Sequence, residues 1–158
     1  MAVGTHRMSA RPALPEPIFA EIATASDEFA RRAVEAWRAY AQDAARPVEV
    51  DSRDMAALTK WLKERTGLAR PPVLAEARLV GGRVLPAHGD NAAFLLYRLG
   101  SGELVALLAE HGASAPGAYA TGGLIARAWS RDGFDYALAG ALPETRLEAL
   151  AFELGRSR

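Results

Sequence analysis

Apolar positions follow a helical period in the first part of the chain and strand-like runs in the second. Phe29, Ala30, Ala33, Val34, Trp37, Tyr40 and Ala41 recur at three- and four-residue spacing, which places them on one helical stripe. With no proline between Pro17 and Pro47, this predicts a long N-terminal helix over about 16–45. Ser26-Asp27-Glu28 offers a fresh N-cap with acids in the first turn, a place where that helix could break. Arg46-Pro47 stops it, and Val48-Glu49-Val50 reads as extended. Asp51-Ser52 can cap a second helix over about 53–66, with Met55, Leu58, Trp61 and Leu62 on its buried face and Gly67 as its C-terminal cap. Pro71-Pro72 closes this half.

From about residue 77 to 140 the pattern predicts three hairpins. Leu79-Val80 and Arg83-Val84-Leu85 read as short strands around a Gly81-Gly82 turn, because glycine reaches the positive φ that tight hairpin turns need. Ala92 to Arg98 pairs with Glu103 to Ala109 across Gly100-Ser101-Gly102, and Leu124 to Ser130 pairs with Phe134 to Ala139 across Arg131-Asp132-Gly133. His111 to Gly123, rich in Gly, Ala and Ser, reads as a loop. Pro143 suits the first turn of a helix over about 143–155, with Leu147, Leu150, Ala151 and Leu154 on its apolar face. The expected fold class is α+β: an antiparallel sheet of hairpins with the N-terminal, second and C-terminal helices packed on it. Residues 1–15 form a leader and linker and 16–158 one domain. The aperiodic tract Met1 to Met8 reads as appended sequence or a non-native start, and Arg11 to Pro17 carries three prolines.

Composition narrows the function classes. At 158 residues the chain can bury a core without staples, and with no cysteine it has no disulfide, thiolate metal site or cysteine nucleophile. Nineteen basic and nineteen acidic side chains cancel, so no global field draws it to nucleic acid or anionic lipid. The apolar runs are strand-sized, well short of the roughly 20 residues of a membrane-spanning helix, and prolines stand where a secretory signal would be apolar.

Chemistry-bearing motifs are few. The phosphate loop, the dinucleotide-binding glycine fingerprint, the H-E-x-x-H zinc motif, the EF-hand loop and the nucleophile elbow are all absent from the sequence. His88, Asp90, Glu110 and His111 lie at strand ends and would make a metal or general-base site if those ends met, since imidazole and carboxylate are the available ligands. Against this stands the simpler reading of exposed turn histidines. Ser114, His111 and Asp135 contain the residue types of a nucleophilic triad but lack any activating turn. Trp37, Tyr40, Trp61, Phe94, Trp129, Phe134 and Tyr136 read as packing residues before an aromatic ligand box, and Glu144 with Glu148 as a surface pair. The residues alone favour a chain that is not an enzyme and needs no cofactor.

The run from Phe29 to Tyr40, then Arg46-Pro47-Val48-Glu49-Val50, then Leu58-Thr59-Lys60-Trp61-Leu62-Lys63-Glu64-Arg65-Thr66-Gly67, resembles the segment just outside the membrane in transmembrane anti-sigma factors that restrain extracytoplasmic-function sigma factors. Leu79 to Pro86, Ala92 to Tyr97 and Trp129 to Gly140 resemble later strands of the same domain. The resemblance covers about Phe29 to the end and rests on turn glycines and core aromatics. It implies a periplasmic sensory or regulatory domain of a membrane-anchored protein, acting on its sigma factor only indirectly, through a cytoplasmic zinc domain that this sequence does not contain. A periplasmic sensor or protease is the implied partner, and an apolar stripe of Ile18, Ile22 and Phe29 would suit a homodimer through the N-terminal helix. The alternatives are a small-ligand or metal-binding module and an enzyme using His88, Asp90 and His111.

Overall fold

A computed structural model describes residues 25–42, 48–87, 89–114 and 116–156. The chain is α+β: a seven-stranded antiparallel sheet with helices on both faces. Helix α1 (Ala25–Ala36) continues into a π-helical turn, Trp37–Ala41, and α2 is Met55–Thr66. The strands are β1 (Val50–Asp51), β2 (Ala77–Ala87), β3 (Asp90–Leu99), β4 (Leu104–His111), β5 (Gly117–Thr121), β6 (Leu124–Arg131) and β7 (Phe134–Gly140), followed by α3 (Glu144–Arg156). Their order across the sheet is β1-β2-β3-β4-β7-β6-β5.

That order is two meanders joined edge to edge through their last strands, β4 and β7. The chain runs β2-β3-β4, crosses the ends of β7 and β6 to reach the far edge, and returns as β5-β6-β7 to pair β7 with β4. The crossover is tied down by the strands it passes. Asp135 of β7, only 6% exposed, accepts from the Ser114 backbone N–H at 2.9 Å, and Ser130 of β6 donates to the Ser114 carbonyl.

Strand alternation sorts the core into two faces. On face one, α1 and the π-helical turn insert Phe29, Ala30, Ala33, Val34 and Trp37 against Ala92, Phe94, Leu96, Ala106, Leu108, Ala126, Ala128, Ala137 and Ala139. The alanines let the helix lie close to the sheet, so dispersion contacts replace side-chain bulk. On face two, α2 and α3 bury Leu62, Leu147, Leu150 and Leu154 against Leu95, Tyr97, Val105, Leu107 and Leu138. Covering both faces explains why Ala92 to Tyr97 and Val105 to Ala109 are apolar without interruption.

Several sequence expectations are revised. Gly81-Gly82 is no turn: both glycines lie inside β2, which bulges between Leu79 and Gly81. A Cβ on Gly81 would sit 2.3 Å from the Val50 carbonyl oxygen, so β1 approaches there only because the side chain is missing. The tract after His111 is not all loop, since β5 pairs with β6 through the Gly122-Gly123 turn, both at positive φ. Asp132 and Gly133 also have positive φ and form a two-residue turn, one residue tighter than expected. Helix α2 is capped by Asp54, whose carboxylate accepts from Ala57 N–H, not by Asp51 or Ser52, and Met55 is 46% exposed. Gly67 is its left-handed C-cap, as expected. The first helix ends at Ala41, and its expected portions at 16–24 and 43–45 lie outside the described residues. Phe29 is 3% exposed in the core and cannot join an exposed dimerisation stripe; Ile18 and Ile22 lie outside the described residues.

Candidate functional site

Asp90, Glu110, His111, Ser114 and Asp135 border one concavity of about 590 Å3 beside α1, but the His111 side chain is turned to the other face of the sheet. On β4, Ala106 and Leu108 face α1, so Glu110 shares that side, whereas Val105, Leu107 and Ala109 face α2 and α3, so His111 points the other way. Glu110 receives a two-point bond from Arg32 of α1, at 2.9 and 3.1 Å, with both side chains mostly buried. Asp90, at the start of β3, accepts from the Asn91 backbone N–H at 2.8 Å. His88 lies outside the described residues. Among the described residues no three His, Asp or Glu side chains are grouped to hold a metal ion.

Of the triad types, Ser114 and Asp135 meet and the His111 ring is turned away. Asp135 lies opposite Glu110 on face one and clamps the crossover, while the His111 ring packs edge-on to Phe134 at 4.4 Å on face two. Ser114 meets Asp135 through its backbone N–H. Glu144 and Glu148 are a surface pair bridged by Arg127, and hydrogen bonding to Glu148 is the largest cause holding the Arg127 pKa above its usual value.

A second concavity lies on face two: a cleft of about 300 Å3 between the Gly67–Val73 segment and strands β6 and β7. Its floor is aromatic. Trp129 and Tyr136 are direct cross-strand partners on β6 and β7, stacked with ring centroids 5.7 Å apart and planes within 15°, and Phe134 lies 6.1 Å from Tyr136. All three rings are half-buried. The stack supplies a rigid apolar surface whose outer edges remain open to a ligand.

The opposite wall is held at both ends. The left-handed Gly67 sits over the His111 ring, where a Cβ would fall 2.6 Å from Nε2, so that residue must be glycine. Tyr97, buried beneath the segment, donates its phenol hydrogen to the Pro72 carbonyl at 2.6 Å. Burial pushes the Tyr97 phenol far above its ordinary pKa, with Tyr136 adding to the shift, so Tyr97 stays a neutral donor. Tyr136 is raised too, chiefly by burial and then by the Asp132 carboxylate, against the opposing Arg131.

Charge is concentrated at the rim. Arg131 donates to the Gly155 carbonyl at 2.8 Å and lies 3.4 Å from the Asp132 carboxylate, which fixes its guanidinium at the cleft edge. Arg70 is exposed on the opposite lip and has no ion pair among the described residues. The arrangement can hold an apolar body on the rings and an anionic group between two guanidinium groups. No protein-family model, curated protein or solved structure matches the chain.

The cleft was hidden in the sequence because its parts are far apart. Only the two-residue spacing of Arg127, Trp129 and Arg131, and of Phe134 and Tyr136, hinted at one shared face. Nothing local revealed that Pro71-Pro72-Val73 would cross it.

Proposed function

We propose that this chain is the extracytoplasmic regulatory domain of a membrane-anchored anti-sigma factor, working without catalysis by presenting or withdrawing its first helix. The observation that carries the reading is the way α1 sits. Among the described residues it and the π-helical turn that continues it alone supply the helical cover of face one, and three polar ties reach from them to two strands. Asp27 accepts from the Ala118 N–H of edge strand β5 at 2.9 Å, Arg32 pairs with Glu110 of β4, and the Trp37 indole donates to the Leu104 carbonyl at 2.9 Å. A helix that receives the chain from its N-terminal side and closes a sheet face can couple that chain to the folding state of the domain. The sequence resemblance supplies the identity of the device, and no described helix is long and apolar enough to cross a membrane.

The test places a C-terminal tag on the product of the gene that carries this chain and treats spheroplasts with protease. The reading expects the tag to be lost from intact spheroplasts while a cytoplasmic marker survives. A tag digested only after lysis would overturn it. A second reading, a small-ligand module, is favoured by the aromatic cleft and is compatible with the first, since a bound ligand is one way such a domain receives a signal.

A further inference from the structure

We propose that the face-two cleft binds an apolar monocarboxylate, its aromatic or aliphatic body against the Trp129–Tyr136 stack and its carboxylate between Arg70 and Arg131. The site is built before any ligand arrives. The floor is a cross-strand aromatic pair held in the middle of two paired strands, and the wall is fixed by the His111 ring under Gly67 and by the Tyr97 phenol on the Pro72 carbonyl. Preorganisation of this kind removes the ordering cost that binding otherwise carries. The volume, about 300 Å3, lies at the lower end of the roughly 300–1,000 Å3 typical of small-molecule clefts, which selects one ring system or a short chain over a long lipid.

Charge selects the sign. The rim carries two guanidinium groups against the single carboxylate of Asp132, and that carboxylate lies beside Arg131. The Arg131 Nη1 is spent on the Gly155 carbonyl and its Nε faces Asp132, leaving the other terminal nitrogen of the fork for a ligand oxygen. Arg70 gains a partner it does not have among the described residues. A second carboxylate would have no cation to meet and would approach Asp132, so a monoanion fits better than a dianion.

The experiment titrates the purified full chain with 2-naphthoate and, separately, with the neutral isostere 2-naphthamide, following the indole N–H signals of its three tryptophans by NMR. The expected result is a saturating shift of the Trp129 signal with 2-naphthoate, leaving Trp37 and Trp61 in place. Affinity for 2-naphthamide should be roughly three- to fivefold weaker, the scale of a partly exposed ion pair. Arg70→Ala, which removes an exposed side chain outside the core, should narrow the difference between the two probes without erasing it, since Arg131 remains, and an unchanged difference would overturn the role of Arg70. Ala69→Trp, on the exposed lip of the cleft, should abolish the shift with folding retained by circular dichroism. No shift at Trp129, or equal binding of both probes to the unaltered chain, would overturn the proposal. So would undiminished binding in a folded Ala69→Trp variant.

Discussion

Replacing Gly67 by alanine attacks two constraints at one point. At φ +82° an L-residue is strained by about 1–2 kcal/mol, the cost of the left-handed conformation. The new methyl would also lie 2.6 Å from the His111 Nε2 and 2.9 Å from its Cε1, so the imidazole must swing away. That movement forfeits the edge contact with Phe134, at 4.4 Å, worth about 0.5–1.5 kcal/mol for an aromatic pair. The expected loss is therefore about 1.5–3.5 kcal/mol for Gly67→Ala in the natural background, and only the left-handed cost in His111→Ala. Urea unfolding of the four members of this cycle measures it, provided the slope of free energy against urea is constant across them. An identical cost in both backgrounds would refute the packing of His111 beneath the cap. A cost near zero in the natural background would refute the left-handed cap itself.

Other outcomes follow from the same geometry. Gly112→Ala should destabilise by about 1.5–3 kcal/mol, the scale of a hydrogen bond to a charged group, because its Cβ would lie 2.2 Å from Asp135 Oδ2 and displace the carboxylate that clamps the crossover; denaturant midpoints check this. Arg32→Ala and Glu110→Ala should each cost about 1–2 kcal/mol with a double variant well short of the sum, and Arg32→Ala should cost more because its guanidinium also sits 5.4 Å over the Phe29 ring. Tyr97 and Tyr136 have folded-state pKa values raised above the ordinary 10.0, so their contribution to stability is fully present below pH 10 and is lost as pH rises through the folded-state values. Thermal unfolding should therefore fall off above about pH 10, and Tyr97→Phe should flatten that decline.

How far the sequence could be read depended on whether a signal was local. The stripe from Phe29 to Ala41, the cap at Gly67 and the turn at Gly100-Ser101-Gly102 rest on neighbours a few residues apart, and the structure places each where the pattern put it, with the turn before Phe134 tighter by one residue. Gly81-Gly82 misled because glycine has two uses. There it makes room for the Val50 carbonyl and for Leu58 and Leu95 rather than supplying positive φ, and only the tertiary fold distinguishes these. The grouping of Glu110 with His111 failed for a simpler reason, since adjacent residues on one strand face opposite sides of the sheet. Asp135 reads as a catalytic acid in isolation, and becomes a clamp only once the connection from β4 to β5 is seen to cross the ends of β7 and β6. The aromatic cleft joins β6 and β7 to a segment some sixty residues earlier, a meeting that no periodicity reports.

The central claim is that docking of α1 on face one governs a sigma factor. It is tested most directly by placing the Arg32→Ala, Glu110→Ala double change in the native gene and reading transcription from promoters of an extracytoplasmic-function sigma factor, with protein level matched by immunoblot. The account predicts increased transcription without the inducing stress, because the helix that closes face one is held less tightly. Transcription unchanged from the natural gene, with hydrogen exchange confirming that α1 is loosened, would contradict it.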